Sequence, residues 1–370
     1  MSNNVFVNIL SDMKDEDTHM AGESSAEFDA YMSTGCYTLN ALMSGDIYNG
    51  LPNTKRLMLA GASSVGKTFF QLGIVKEHLD AKPTNGVVLY DTESAITKDM
   101  LEDRGIDASR VIIVDVNTIQ KFRTHVLRFA TSYMKIKEKD RPDMLMILDS
   151  LGNLSTEKEV ADIEAGKDTR DMTRSQLIRG AFRAVTVPLA RAKIPMIVTN
   201  HTYAGIGGLF PTEELSGGGG ARYAADIIVM LSKAQDKDGN QSGPVVGNII
   251  TAKNFKNRFA KEKASVKLRL RYESGLDKYY GLLEIAERGG ILQKVAGKYL
   301  MRDGTKQFEK TIYKNPERWF TPEFLDEINV VVGQLFKYGG SLANLADDVI
   351  EDKDDDVDEG RDDNSEGAAQ

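Results

Sequence analysis

Cysteine is nearly absent from this sequence: its 370 residues include one, Cys36, with a single tryptophan, nine prolines and four histidines. A lone cysteine excludes an internal disulfide, and without a cluster of thiols there is no cysteine cage for structural zinc. Cys36 is read as a small core residue. No apolar run approaches the roughly 18 residues of a membrane span, and the polar, acidic first 30 positions lack the basic start and apolar stretch of a secretory signal. These absences predict a soluble, cytoplasmic protein with no membrane partner.

Apolar residues are plentiful at 41%, enough over this length for one large domain with smaller extensions. The net charge of −8 is unevenly spread. Residues 1–30 carry seven acids against one lysine, and residues 347–370 carry twelve acids against Lys353 and Arg361, so residues 31–346 are left at +8. A mildly basic body between acidic ends fits a polyanionic partner, or an ordinary body with solubilising tails. Four segments are expected: a short acidic segment over 1–30 with the apolar patch "NVFVNIL", an ordered core over 31–276, a smaller mixed region over 277–346 anchored by Trp319, and a disordered acidic tail over 347–370.

The apolar runs "RLMLA" (56–60), "GVVLYD" (86–91), "RVIIVD" (110–115), "MLMILD" (144–149) and "IPMIVTN" (194–200) read as buried strands. Helical patterns such as "FFQLGIVKEHL" and "TIQKFRTHVLRFATSYMKIKE" lie between several of them. Continuous apolar strands alternating with helices predict an α/β fold, a mostly parallel central sheet covered by helices, with ligand sites beyond the strand C-terminal ends. After about residue 225, "ADIIVMLSKA", "VVGNIITAKNF" and "ASVKLRLRYE" are joined by Gly- and Asp-rich turns that favour antiparallel extension of the sheet.

Gly61, Ala62, Ser63, Ser64, Val65, Gly66, Lys67 and Thr68 fill every position of GxxxxGK[ST] between a strand and a helix. Such a loop wraps phosphate oxygens with backbone amides at a helix N-terminus, Lys67 adds a positive charge, and the Thr68 hydroxyl faces a magnesium ion. Asp149, ending the strand "MLMILD", is the candidate carboxylate for the water shell of that Mg2+. Hydrolysis also needs a group that orients or deprotonates water. Glu93 ends another strand and would share a side with Asp91 if extended; His201 ends a third, either touching a terminal phosphate or serving as an ordinary loop histidine. His78 and His125 lie in helical patterns and need no functional reading.

Two polar segments follow these strand ends. The first, after Asp149, becomes helical and carries Arg170, Arg174, Arg179 and Arg183; the second has seven glycines between Gly205 and Gly220 and is expected to order on binding rather than pack as core. Glycine amides, Tyr203, Phe210 and Arg222 suit single-stranded nucleic acid, though a substrate lid fits the composition equally. Lys253, Lys256, Arg258, Lys261, Lys263 and Lys267 form a basic cluster that suits a nucleic-acid backbone, a neighbouring subunit's triphosphate, or a solvated turn.

The order of "TGCYTLNALMSGDIYNGLPNTKRLMLAGASSVGKT", "LYDTESAIT", "MLMILDSLGNL", "DMTR", "IVTNHTY" and "SGGGGARYAADIIVM" resembles the RecA family over about residues 32–290, and within it the branch found in T-even bacteriophages. The resemblance implies a RecA-like P-loop ATPase core and a DNA-dependent ATPase that binds ATP and Mg2+ between subunits. It implies a helical homo-oligomer on single-stranded DNA, pairing and strand exchange with homologous double-stranded DNA, single-strand-binding and loading proteins as partners, and a host-cytoplasmic setting if phage-encoded. Carried onto this chain, Lys67, Thr68 and Asp149 hold phosphate and magnesium, Glu93 activates water and His201 senses the terminal phosphate. The DNA loops correspond to 155–172, with Arg170 and Arg174 nearby and Arg179 in the following helix, and to 203–220, with Tyr203, Gly207, Gly208, Phe210, Gly217, Gly218 and Gly219 followed by Arg222. Lys253 aligns with a lysine reaching the neighbour's ATP, and Lys256 or Arg258 with a second such charge. Met100 stands where an aromatic residue often covers the base. The N-terminal patch is a candidate for docking on a neighbouring protomer, and the acidic tail for competition with DNA. A hexameric helicase-like motor on the same core, and a nucleotide-gated scaffold, are the alternatives.

Overall fold

A computed structural model describes residues 5–13, 18–20, 22–24, 27–167, 171–204, 213–238 and 243–340. In chain order its elements are α1 (Val5–Met13), β1 (Tyr31–Met32), α2 (Tyr37–Ser44), β2 (Leu51–Pro52), β3 (Arg56–Gly61), α3 (Lys67–Ala81), β4 (Gly86–Asp91), α4 (Lys98–Glu102), β5 (Val111–Asp115), α5 (Ile119–Met134) and β6 (Met144–Asp149). They continue with α6 (Glu157–Glu164), α7 (Arg174–Arg191), β7 (Met196–Ala204), β8 (Glu213–Leu215), α8 (Gly218–Arg222), β9 (Ile227–Lys237), β10 (Val245–Asn257), β11 (Ser265–Arg271), β12 (Gly275–Leu276) and α9 (Leu282–Arg288). The last elements are β13 (Gln293–Val295), β14 (Lys298–Leu300), β15 (Lys306–Gln307), α10 (Glu309–Lys314), α11 (Pro316–Trp319) and α12 (Pro322–Phe336).

The main sheet runs β12, β11, β10, β9, β3, β7, β6, β4, β5, parallel from β9 to β5 and antiparallel from β9 outward to β12. Side chains alternate across each strand, so the apolar runs feed two cores. Leu57, Leu59, Leu89 and Ile147 join a cluster with α2, α3, α9 and α12, whereas Met58, Tyr90, Met146 and Val198 pack under α5 and α7. Strands with buried residues on both faces are what helices on both faces require. Local chemistry sets the helix starts: the Thr118 hydroxyl accepts the amide of Lys121 ahead of α5, and Thr156 and Glu159 form a capping box on α6.

Buried residues of α9 and α12 are continuous with the α3-side core, and Tyr279, Phe320 and Phe324 stack in series at 5.3 and 6.0 Å. Trp319 is partly buried against this cluster under the guanidinium of Arg318. Cys36 is fully buried, and burial pushes its thiol up to about 12.

Two expectations need correction. The run "RVIIVD" forms a strand, β5, but at the edge of the sheet, where Ile112 and Ile113 are exposed by 51% and 38%. An edge strand has a neighbour on one side alone, so an apolar run does not guarantee burial. The glycine run from Gly217 is not all open loop: Gly218–Arg222 is helical and Gly220 and Ala221 are buried against α7. There the missing side chains permit contact, because a Cβ on Gly220 would collide with the carbonyl of Ser175.

Candidate nucleotide and DNA site

β3 ends at Gly61 and α3 begins at Lys67. The link bends through positive φ at Ser64 (62°) and Gly66 (94°), and a Cβ on Gly61 would lie 2.5 Å from the carbonyl oxygen of Leu231 on β9. Ala62, Ser63 and Ser64 are exposed at the crest while Val65 is buried as its anchor. The loop therefore leads into the N-terminus of a 15-residue helix, where unpaired amides and the helix dipole favour an anion. Lys67 lays its ammonium across the loop, donating to the carbonyls of Gly61 (2.8 Å) and Ala62 (2.9 Å), 3.3 Å from His201 Nδ1. Burial lowers its pKa, and Asp149 and Glu93 pull it back only in part. An arriving phosphate would supply the missing counter-charge.

Parallel strands β4 and β6 end beside this loop; β7 passes it at His201 and runs on to Ala204, so His201 lies within a strand and not at its end as expected, because β8 pairs with the continuation. Asp149 is buried; its Oδ2 accepts from Thr68 Oγ1 at 2.7 Å and Gln71 Nε2 at 2.5 Å, and its Oδ1 from Thr199 Oγ1 at 2.5 Å. The adjoining Thr68 hydroxyl and Asp149 carboxylate are hard oxygen donors of the kind Mg2+ takes in company with substrate phosphates. Among the described residues no three His, Cys, Asp or Glu side chains converge as a metal cage. The residues present fit a phosphate-bridged ion.

Glu93 lies across the crevice, its Oε1 3.7 Å from His201 Nε2 and 2.5 Å from the donating Asn153 Nδ2. Asp91 does not share its side: buried, it accepts the backbone amides of Glu93 and Ile96, both at 2.9 Å, and shapes the turn that presents Glu93. The backbone leaves the extended form after Asp91, with Ser94 at φ 52°, which ends the strand alternation. Met100 packs on the α3-side core. Beside α3 a cavity of about 520 Å³ is lined by Phe69, Gly73, Lys76, Arg104, Tyr272 and Ser274. Arg104 stacks on Phe69 at 4.8 Å.

Thr199, Gln71 and Asn153 are absent from the sequence reading. Thr199 stands two residues before His201 on one strand, so period-2 alternation was an available signal; Gln71 follows Lys67 by one helical turn. Asn153 has no such signal, since the fold alone brings its turn to Glu93.

Around the two candidate DNA segments, Arg170, Gly207, Gly208 and Phe210 lie outside the described residues. Tyr203 is 60% exposed on β7 beside β8. Arg179 lies over the Tyr223 ring at 4.2 Å and Arg222 over Phe255 at 5.1 Å, while Gly218 and Gly219 are exposed with Gly217 at the start of α8. Arg174 instead directs its guanidinium at backbone carbonyls of Leu151, Gly152 and Leu154. The basic cluster also divides. Lys256 donates to the carbonyls of Arg222 and Ala225, Lys261 to those of Gln334 and Gly340, and Lys267 pairs with Glu284. Arg258, mostly exposed, lies 3.8 Å from Asp226, and Lys253 is exposed on β10.

A family model described as the RecA N-terminal domain matches residues 13–277. The chain is 30% identical over 292 residues to the "Recombination and repair protein" of Enterobacteria phage T4, covering 78% of this chain and 66% of that protein. It is 24% identical over 326 residues to "Protein RecA" of Corynebacterium efficiens, covering 84% and 79% of the two chains. The corresponding protein of Paracoccus denitrificans is 25% identical over 290 residues, covering 75% and 73%. Among the described residues no helix is long and apolar enough to cross a membrane.

Proposed function

This chain belongs to the RecA family, and from that premise we propose that it is an ATP-dependent homologous recombinase. In this reading it forms a helical filament on single-stranded DNA, pairs that strand with homologous duplex, and hydrolyses ATP at subunit seams in response to DNA. The observation that carries the reading is the convergence of Lys67 and Thr68 at the start of α3, Asp149 at the end of β6, Glu93 just past β4 and His201 within β7.

The loop amides and Lys67 bind the phosphates of ATP, and Phe69, Arg104 and Tyr272 offer a cavity for the base. Thr68 and Asp149 would hold Mg2+ beside the phosphates, where it would supply neutralising charge. Glu93 accepts a proton from water as its oxygen bonds to the terminal phosphorus, and the bond to the ADP oxygen breaks. His201, between Lys67 and Glu93, is placed to report whether the terminal phosphate is present. Exposed Tyr203, Arg179 and Arg222 beyond the strand ends support a DNA face there, with the described parts of 155–172 and 203–220 flanking it. Lys253 and Arg258 are the cations available to a neighbour's ATP, because Lys256 is committed to carbonyls of its own chain. Exposed Val5, Val7, Ile9 and Met13 on α1 and exposed Ile112 and Ile113 on β5 support protomer docking.

The test is phosphate release by the purified chain with and without single-stranded DNA, alongside electron microscopy with ATP. We expect DNA-stimulated turnover and continuous filaments, with Glu93→Gln lowering turnover by roughly 10²-fold or more while ATP binding persists. Closed rings in place of filaments, or unchanged turnover in Glu93→Gln, contradict the proposal.

A further inference from the structure

The polar contacts around Glu93 extend beyond the nucleotide crevice. Asn153, which donates to Glu93 Oε1 at 2.5 Å, is exposed on the turn after β6. The same turn is gripped by Arg174, the first residue of α7: Nε donates to the carbonyl of Leu154 at 3.0 Å, and Nη2 to those of Gly152 at 2.8 Å and Leu151 at 3.4 Å. A planar guanidinium spread over three main-chain oxygens fixes their relative positions in a way a flexible ammonium does not. The start of α7 is tied in turn to α6. The Arg174 amide donates to the Asp171 carbonyl at 3.1 Å, Asp171 Oδ2 accepts from Thr156 Oγ1 at 2.8 Å, and the Asp171 amide donates to Glu159 Oε1 at 3.2 Å. Hydrogen bonds, with the backbone of the turn carrying Asn153 as one link, thus connect α6 to Glu93 through described residues.

We propose that Asn153 and Arg174 are positioning residues that restrain Glu93 in the resting chain, and that a polynucleotide displacing α6 from the start of α7 releases it. While Asn153 Nδ2 donates to Glu93 Oε1, that oxygen is occupied and the carboxylate is held toward the turn after β6. Losing that bond frees Glu93 to accept from water. Arg174 acts through the turn, holding Asn153 where it reaches the carboxylate. The inference rests on the proposed ATPase activity, with single-stranded DNA as the ligand of α6 and α7.

The experiment compares steady-state ATP hydrolysis by the full chain, Asn153→Ala, Arg174→Ala and the double variant, each with and without homopolymeric single-stranded DNA. Asn153→Ala is expected to raise DNA-free kcat roughly tenfold with KM for ATP unchanged, and to shrink the stimulation by DNA to the same extent. Arg174→Ala is expected to raise DNA-free kcat as well, to bind DNA at least as tightly as wild type because DNA no longer has to break the restraint, and to add nothing to Asn153→Ala in the double variant. Unchanged or lowered DNA-free kcat in Asn153→Ala overturns the proposal; its side chain is exposed, so removal leaves the core intact. Weakened DNA binding with a shallower salt dependence in Arg174→Ala also overturns it, since that places the guanidinium on a phosphate. Absence of DNA-stimulated hydrolysis in the wild type removes the recombinase reading and the relay together. Wild-type stimulation with an unaltered Asn153→Ala removes the relay alone.

Discussion

Arg56 and Asp226, at the base of β3 and just before β9, are almost wholly withdrawn from water. Arg56 Nε and Nη2 donate to the two carboxylate oxygens at 3.1 and 3.2 Å, and the Arg56 amide adds a third bond at 3.1 Å. Burial pushes the Asp226 pKa up, but Arg56, with help from Arg258, more than offsets this and holds the carboxyl below its ordinary range. A folded-state pKa below the unfolded one contributes stability that is fully present above the ordinary carboxylate value of about 4 and disappears as pH falls through the folded value. Asp226→Asn leaves Arg56 buried without a counter-charge and is expected to cost on the order of 3 kcal/mol at pH 7. Denaturant melts at stepped pH should show the gap to wild type closing below about pH 4. This pair lay outside the reach of the sequence, because Arg56 and Asp226 are 170 positions apart with no motif linking them. Lys67 and Thr68 were legible because a phosphate loop is one continuous stretch whose spacing is itself the geometry.

At the scale of elements, α8 shows how one composition serves two purposes. Gly219 has open space where a Cβ would stand, whereas Gly220 faces the Ser175 carbonyl, to whose residue its amide also bonds through Oγ at 3.0 Å. Gly220→Ala must push α8 away from α7, an overpacking cost of about 1–3 kcal/mol, while Gly219→Ala should be neutral or stabilising by up to about 1 kcal/mol through helix propensity. Equal melting midpoints for the two variants would contradict this packing. The glycine count indicated loop, and correctly marked a place where backbones need freedom. Whether that freedom served motion or close approach depended on α7, which the local sequence does not contain. β5 gives the converse case, where apolar character was read correctly as strand and wrongly as burial.

At the scale of the whole molecule, the two cores leave specific surfaces unfinished. α1 exposes Val5, Val7, Ile9 and Met13, and the far edge of the sheet exposes Ile112 and Ile113. Large apolar residues grouped on exposed elements mark interaction surfaces more often than scattered ones do. Ile112→Glu, at the more exposed of the two, is expected to prevent nucleotide-dependent assembly, read by light scattering or electron microscopy, while changing unfolding free energy by about 1 kcal/mol or less. Intact filaments in this variant would remove β5 from the protomer seam.

The sequence by itself determined the α/β class, the succession of apolar strands, the phosphate loop, and Asp149 at the end of its strand, because each follows from contiguous patterns of period two, period 3.6 or fixed spacing. Tertiary structure alone decided that Asp91 supports a turn, that Lys256 and Arg174 bind carbonyls, that β5 is an edge, and that Asn153 meets Glu93. Those outcomes depend on which strands become neighbours, and strand order is settled by the packing of two helical layers on one sheet rather than by any local run of residues.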